Sequence, residues 1–296
     1  MSEGDRRSAR RPPSDSSARS LLERHGIRPS RRKGQSFLIQ PDIARRIALA
    51  AEIPPGATVI EIGSGLGILT RAMAPLCRRL LAVEIDSRLV RVLSEEGSLP
   101  PNVEVIEGDA LETDLGAMAR RWRAPALVVS NLPYAASTPL LFRLLEAGPV
   151  IQRWVLMLQR EVAERILAAP GSKVYGALTV PLQLFTDVER LFSVGRMNFH
   201  PRPDVDSVVL RFDVRPPEAS GVTDPALLRA VVRAAFGRRR KTLANALAPL
   251  VGEGGSALLE EAGIDPRARG ETLAPGDFAR LANALHRAGL EAVRGA

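Results

Sequence analysis

Between residues 58 and 158 the chain lays down five short apolar runs, TVIEI, RLLAVEI, VEVIE, PALVV and WVLML, separated by stretches of helical length. Strands buried on both faces read as continuous Val-, Ile- and Leu-rich runs, and parallel neighbours need a crossover of a dozen or more residues. The pattern therefore predicts an α/β fold, a parallel sheet with helices on both faces. Beyond Val180 the spacing changes: DVERLFSV and DSVVLRFDV follow one another without a useful helix between them, so the sheet is expected to close with an antiparallel strand.

RPPEASG at residues 215–221 reads as a linker, and Thr223-Asp224-Pro225 as a capped helix start with proline at its first position. The helix that follows has an apolar stripe of Leu227, Leu228, Val231, Val232 and Phe236, which leaves Arg229 and Arg233 together on an exposed side. Gly237 breaks or bends it, so Arg238, Arg239, Arg240 and Lys241 are expected to open a second helix. The organisation predicted is a disordered basic tail over residues 1–30, an α/β domain over 31–214 and a small helical domain over 222–296. Residues 1–20 are rich in Ser, Arg and Pro and lack an apolar face. A transit peptide is the alternative reading of that tail, opposed by its three acids and its Pro pair.

Charge sharpens the picture once it is located. The net charge is +8, and residues 1–33 hold nine Arg and one Lys against four acids, a net +6. Residues 225–252 hold five Arg and one Lys with no acid, another +6, so the rest of the chain is a mildly acidic −4. A basic tail and one basic patch on an acidic body point to a polyanion met at defined places, the plainer alternative being solvated helix faces. No apolar run approaches the roughly 20 residues that span a bilayer. One cysteine, Cys77, and three scattered histidines, His25, His200 and His286, offer neither a disulfide nor metal-ligand spacing. A reducing cytoplasmic setting, no membrane and no metal are expected.

The chemistry concentrates at the ends of the apolar runs. VIEIGSGLGILT, residues 59–70, carries a strand into Gly63, Gly65 and Gly67, and a helix starting near Leu66 aims its amides at the same place. Ile68 stands where the dinucleotide fingerprint has its third glycine, which disfavours NAD and suits a nucleoside with an amino-acid tail. Glu84, nineteen residues after Gly65, can accept hydrogen bonds from both ribose hydroxyls; a helix cap there would be better supplied by Asp86 or Ser87. Asp109, after the third run, can accept from an adenine amine. The fourth run delivers Asn131-Leu132-Pro133-Tyr134. An exocyclic adenine amine is a poor nucleophile because its lone pair is delocalised into the ring. Acceptors that hold its protons let the nitrogen pyramidalise, and the Asn131 side-chain oxygen and the Pro133 carbonyl can be those acceptors. Tyr134 offers a face for a flipped base, a contact that needs its ring more than its hydroxyl.

In this order the stretches GQSFLIQPDIARRI, VEID, GDAL, NLPY, LMLQREVAERI, KVYGALTV, FHPRPDVDSVVLRF, FGRRRKTLANAL and ARGETLAPGDFARLA resemble the KsgA-type ribosomal RNA adenine N6-dimethyltransferases over nearly all of the chain after residue 30. The resemblance implies a Rossmann-like methyltransferase sheet with an antiparallel last strand and a small C-terminal helical domain. It implies S-adenosylmethionine as cofactor, held by Ser36, Leu38, Gly63, Gly65, Glu84, Asp109 and Asn131, with Asn131, Pro133 and Tyr134 at the target base. The substrate implied is a pair of adjacent adenosines near the 3′ end of small-subunit rRNA in a pre-ribosomal 30S particle; the charge pattern makes Arg229, Arg233, Arg238, Arg239, Arg240 and Lys241 the expected RNA contacts of a monomer. Two departures stand out: Ser36 replaces the family's usual Asn, and Ala135-Ala136 replaces the Asn-Ile that usually follows NLPY, widening the lip of the base site. A macrolide-resistance enzyme acting on large-subunit rRNA and a non-catalytic nucleic-acid-binding relative are the competing readings. KVYGALTV, PDVDSVVL and RRRKTL favour the small-subunit branch, and intact Glu84, Asp109 and Asn131 favour catalysis.

Overall fold

The computed structural model describes residues 18–29, 35–95, 99–122, 124–238, 240–252 and 255–290. Its strands are β1 (Phe37–Leu38), β2 (Thr58–Ile62), β3 (Arg79–Glu84), β4 (Val103–Glu107), β5 (Ala126–Asn131), β6 (Ile151–Gln159), β7 (Thr186–Val194), β8 (Phe199–His200) and β9 (Ser207–Val214). The helices of the α/β part are α1 (Ala18–Arg24), α2 (Pro41–Ala50), α3 (Ile68–Met73), α4 (Ser87–Glu95), α5 (Leu115–Arg120), α6 (Ser137–Ala147), α7 (Arg160–Ile166) and α8 (Thr179–Phe185). Four more follow: α9 (Pro225–Gly237), α10 (Leu243–Val251), α11 (Gly255–Glu261) and α12 (Pro275–Arg287).

Seven strands form one sheet in the order β4-β3-β2-β5-β6-β9-β7. The strands from β4 through β6 run parallel, and β9, last in the chain, is antiparallel to both β6 and β7. It is inserted beside the edge rather than added to it, because β7 takes the rim first and the segment after it, which carries β8, leads β9 back between β7 and β6. Alternation does the packing. Val59 of β2 joins Ile47, Leu69 and Met73 on one face, and Ile60 and Ile62 join Leu115, Leu140 and Leu144 on the other. Each such side chain contributes roughly 1.5–3 kcal/mol when fully buried. Strand order reverses at β2, with β3 and β4 added on one side and β5 and β6 on the other, so a crevice opens beyond the strand ends at that switch point.

The C-terminal helices share a core with the end of the α/β part. Leu227, Leu228, Val231 and Val232 of α9 pack with Leu247, Phe278 and Leu281, and also with Tyr175, Val180 and Leu184. The Tyr175 hydroxyl donates to the Leu273 carbonyl at 2.8 Å. Asp224 caps α9 by accepting from the amides of Ala226 and Leu227 at 2.8 and 3.0 Å, and Pro225 follows it as expected.

Four expectations are corrected. Residues 18–29, assigned above to a disordered tail, include α1, and Leu21, Leu22 and Ile27 are buried against Phe37, Leu66, Leu89 and Val92; residues 1–17 lie outside the described residues. The helix after the glycine loop starts at Ile68 rather than near Leu66, because Gly67 still has a left-handed backbone. Ala235, not Phe236, completes the fully buried stripe of α9, since the larger ring stays half-buried between Tyr175 and Phe278. Arg238, Arg240 and Lys241 do not open a second helix: α10 begins at Leu243, capped by the Thr242 hydroxyl, so these residues occupy the connecting turn, and Arg239 lies outside the described residues.

Candidate active site

At the switch point lies a cavity of about 250 Å³ lined by the loop after β2, the ends of β3 and β4, the NLPY turn after β5, and the segment that leads into β1. Among the residues singled out from the sequence, Ser36, Gly63, Gly65, Glu84, Asp109, Asn131, Pro133 and Tyr134 all line it. Leu38 does not. Its side chain is buried with Ala44 and Ile47 on the other side of β1, since successive strand residues point to opposite faces, and it is Phe37 that faces the cavity.

The glycine loop is shaped from outside as much as by what it would bind. Gly65 has φ +57°, and a Cβ there would stand 2.9 Å from Cδ1 of Phe37; a Cβ on Gly63 would stand 3.2 Å from Cγ of Pro133. Both flanking motifs therefore press directly on this backbone. Behind the loop, the Thr70 hydroxyl of α3 donates to Glu61 at 2.5 Å, tying helix to strand, and burial drives the Glu61 pKa up to about 8 against the opposing Thr70 bond, with the nearby Glu84 charge raising it further.

Glu84 is buried at the end of β3. One of its oxygens accepts from the Gly65 amide at 2.8 Å and the other from the Asp86 amide at 3.0 Å. Burial raises its pKa, and the amides of Asp86, Gly65 and Ile85 oppose the rise. A carboxylate has about four acceptor sites, so acceptor capacity remains for a ligand hydroxyl. The helix-capping role falls to Asp86, whose oxygen accepts from the Arg88 amide at 3.1 Å ahead of α4; the Arg88 guanidinium holds its carboxyl down at about 2. Asp109 spends one oxygen on the Leu111 amide at 2.8 Å, leaving the other toward the cavity. Ile85, 57% exposed and lining the cavity beside Glu84, is a residue the sequence reading passed over. An apolar side chain that ends a buried strand yet stays exposed is the signal that finds it.

The NLPY turn is anchored on both sides. The Ser130 hydroxyl donates to the Ile62 carbonyl at 2.5 Å, and the Leu132 amide to the Met157 carbonyl at 3.2 Å. Asn131 then donates its Nδ2 to the Ser36 carbonyl at 3.3 Å, which leaves its Oδ1 buried and without a partner. A buried acceptor left unpaired costs about 1–3 kcal/mol, so its persistence here points to a donor that arrives with a ligand. Ser36 takes part through its backbone; its hydroxyl donates to the Pro201 carbonyl at 2.6 Å, pinning the segment that β1–β8 pairing already holds over the cavity. The Tyr134 hydroxyl pairs with Ser207 of β9 at 2.9 Å, a contact invisible from the sequence that fixes the ring's tilt.

A nucleoside with a charged amino-acid tail suits this lining: acceptors for ribose and adenine at Glu84 and Asp109, an apolar face at Ile85, and loop amides at the glycines. The basic residues proposed from the sequence lie elsewhere, with Arg229 and Arg233 exposed on α9 and Arg238, Arg240 and Lys241 exposed in the turn after it. Among the described residues, no group of three or more acidic, His or Cys side chains could hold a metal, and no helix is long and apolar enough to cross a membrane.

A doubly wound sheet with one inserted antiparallel strand, and a nucleoside-sized crevice at its switch point ending in an Asn-Leu-Pro-Tyr turn, define a Rossmann-like S-adenosylmethionine-dependent methyltransferase. The family model described as "Ribosomal RNA adenine dimethylase" matches residues 28–287. The chain belongs to that family. It is 43% identical over 274 residues to the "Ribosomal RNA small subunit methyltransferase A" of Moorella thermoacetica, covering 90% of this chain and 95% of that one. The protein of the same name from Pelotomaculum thermopropionicum is 44% identical over 284 residues, covering 92% and 96%. Among solved structures, a dimethyladenosine transferase from Plasmodium falciparum superposes with a TM-score of 0.74 at 29% identity, covering 86% of this chain and 99% of that one. The 23S rRNA methyltransferase ErmE superposes at 0.62 and 29%, covering 84% and 99%.

Glu61 generates a stability prediction. Its folded pKa of about 8 exceeds its ordinary 4.5, so the folded protein holds a proton that the unfolded chain releases. The contribution of Glu61 to stability is then fully present below about 4.5 and is lost as pH climbs through about 8, a total on the order of a few kcal/mol. Glu61→Gln keeps an acceptor for Thr70 and removes the titration. Its melting temperature should fall less across that window than the wild-type value, and parallel melting curves would refute the assignment.

Proposed function

We propose that this chain transfers methyl groups from S-adenosylmethionine to N6 of adenosine, twice per base, on two adjacent adenosines near the 3′ end of small-subunit rRNA in an assembling 30S particle. The observation that carries the reading is the unpartnered Asn131 Oδ1 at the mouth of a nucleoside-sized cavity. Family membership supports the reaction class. Relatives at 43% and 44% identity that are named for the small subunit support that target over the large-subunit one, to which the 29% likeness to ErmE speaks more weakly.

When bound, S-adenosylmethionine supplies an electrophilic methyl group on sulfonium. Glu84 accepts from the ribose, Asp109 from the adenine amine, and the loop at Gly63 and Gly65 with the Ser36 backbone frames the rest. The chain's own contribution to reactivity lies at the target amine. Asn131 Oδ1 and the Pro133 carbonyl accept hydrogen bonds from its two N–H groups; that carbonyl already accepts from the Ala136 amide at 3.0 Å and has a second lone pair free. The nitrogen lone pair then leaves conjugation and points at the electrophile. Tyr134 stacks on the base, worth roughly 1–3 kcal/mol. No general base is required, because the product cation is acidic enough to release its proton to water.

The basic turn after α9 and the exposed side of that helix meet rRNA phosphates, while the shape of the particle selects the site. Within this reading residues 31–214 form the catalytic domain, residues 222–296 the RNA-engaging one, and the enzyme acts as a cytoplasmic monomer.

Asn131→Ala should lower turnover by a few powers of ten, on the order of 3–4 kcal/mol, with particle affinity nearly unchanged. Tyr134→Ala should weaken capture of the base, while Tyr134→Phe keeps the ring, loses only the Ser207 bond and should cost far less. Single-turnover methyl transfer measures all three, and wild-type rates for Asn131→Ala would sink the assignment. Glu84→Ala should raise the cofactor dissociation constant roughly ten- to a hundredfold by calorimetry; an unchanged constant moves the ribose contact elsewhere. Replacing Arg238, Arg239 and Arg240 with Ala should weaken particle binding and flatten its salt dependence by up to roughly 0.7–0.9 per lost phosphate contact. Cofactor affinity should stay the same. An unchanged salt slope in filter binding would reduce the patch to a solvated turn.

A further inference from the structure

Across α6 from the active site lies a second, more open cavity of about 440 Å³, whose lining includes Thr138, Phe142, Arg165, Lys173, Val174 and Phe236. The turn at Tyr134–Ala136 and the first turns of α6 form the wall between the two. Ala136 and Leu140 face the active-site cavity, whereas Thr138 and Phe142 face this one. Helix positions two apart differ by about 200° around the axis, so the cavities stand on opposite sides of a single helix, roughly 10 Å thick.

Its lining combines aromatic rings with two cations. Phe142 and Phe236 supply rings, and the Phe236 ring is held by stacking on Phe278 and meeting Tyr175 edge-on, both at 5.8 Å between centroids. Val174 is 48% exposed at the mouth. Arg165 and Lys173, both exposed, bring two cations to a lining that contains no carboxylate. One rim is Phe236 of α9, one residue before the helix ends and the chain enters the basic turn at Arg238, so this cavity lies between the active site and the proposed phosphate-binding turn.

We propose that this cavity receives the base of a nucleotide neighbouring the target adenosine in the same strand, with its phosphate against Arg165 and Lys173. The proposal rests on the rRNA methyltransferase reading above. With one base drawn into the active site, the strand must part around the start of α6, and an adjacent base that loses its stacking partner finds another on Phe142 and Phe236. The small Ala135-Ala136 pair at the crest of that wall leaves room for the backbone to pass.

The test pairs a change in the protein with a change in the RNA. Small-subunit particles are reconstituted with intact rRNA or with an abasic residue on the 5′ or the 3′ side of the target adenosine. Wild type and Val174→Glu, which sets a carboxylate at the mouth without touching a buried side chain, are assayed for KM, kcat and cofactor affinity. On one side of the target, the abasic residue should raise the wild-type KM roughly tenfold, the worth of one stacked base. Val174→Glu should raise KM on intact particles by a similar factor and add little on the abasic ones, with kcat and cofactor affinity held. Arg165→Ala and Lys173→Ala should each raise KM severalfold. Effects that multiply in full, or a KM for Val174→Glu equal to wild type, would overturn the site. So would a Val174→Glu defect on particles whose abasic residues leave wild type unaffected, which would assign the cavity to a protein or other occupant. Failure of wild type to methylate intact particles would instead refute the underlying activity, and this site with it.

Discussion

An asparagine amide has one face that donates and one that accepts, and the carbonyl of Ser36 decides which of them the cavity meets. By receiving Nδ2 of Asn131 at 3.3 Å it leaves Oδ1 as the buried, unpartnered acceptor at the cavity. That carbonyl is held in turn by a chain of contacts from far along the sequence: the Ser36 hydroxyl on Pro201, the Ile39 amide on the Asn198 carbonyl, and the pairing of β1 with β8. Replacement of the family's usual asparagine by Ser36 leaves this arrangement intact because the backbone, not the side chain, orients Asn131.

The same segment constrains the glycine loop. Phe37 presses on Gly65 and Pro133 presses on Gly63, so the loop is clamped between the two motifs that complete the site, and its glycines are required by the protein's own rings before any ligand is considered. Beneath the loop two acids are buried close together. Burying two carboxylate charges side by side would cost several kcal/mol; burial and the neighbouring Glu84 push Glu61 up to about 8, while backbone amides oppose the rise that burial gives Glu84.

The sheet and the C-terminal helices are joined through Tyr175, Val180 and Leu184, which belong by sequence to the first and by packing to the second. The start of α6 is the shared element in this region, since it carries the NLPY turn at one end and separates two cavities along its length.

Period and composition were enough to reveal the alternation of buried strands and crossovers, the antiparallel return after Val180, and the Asp224-Pro225 helix start, because these depend on near neighbours and on which faces must leave water. The glycine loop, Glu84, Asp109 and the NLPY turn were legible for the same reason: each follows an apolar run, and strand ends in a doubly wound sheet converge. What tertiary structure alone decided are matters of direction and of distant partners. It turned Leu38 into the core and Phe37 toward the cavity, folded residues 18–29 against the glycine-loop side, kept Arg238, Arg240 and Lys241 out of a helix, and gave Tyr134 a partner in Ser207. None of these could be read locally, since a side chain's orientation is fixed by which surfaces meet once the chain has closed, and those surfaces lie up to 165 residues apart in the Ser36–Pro201 contact.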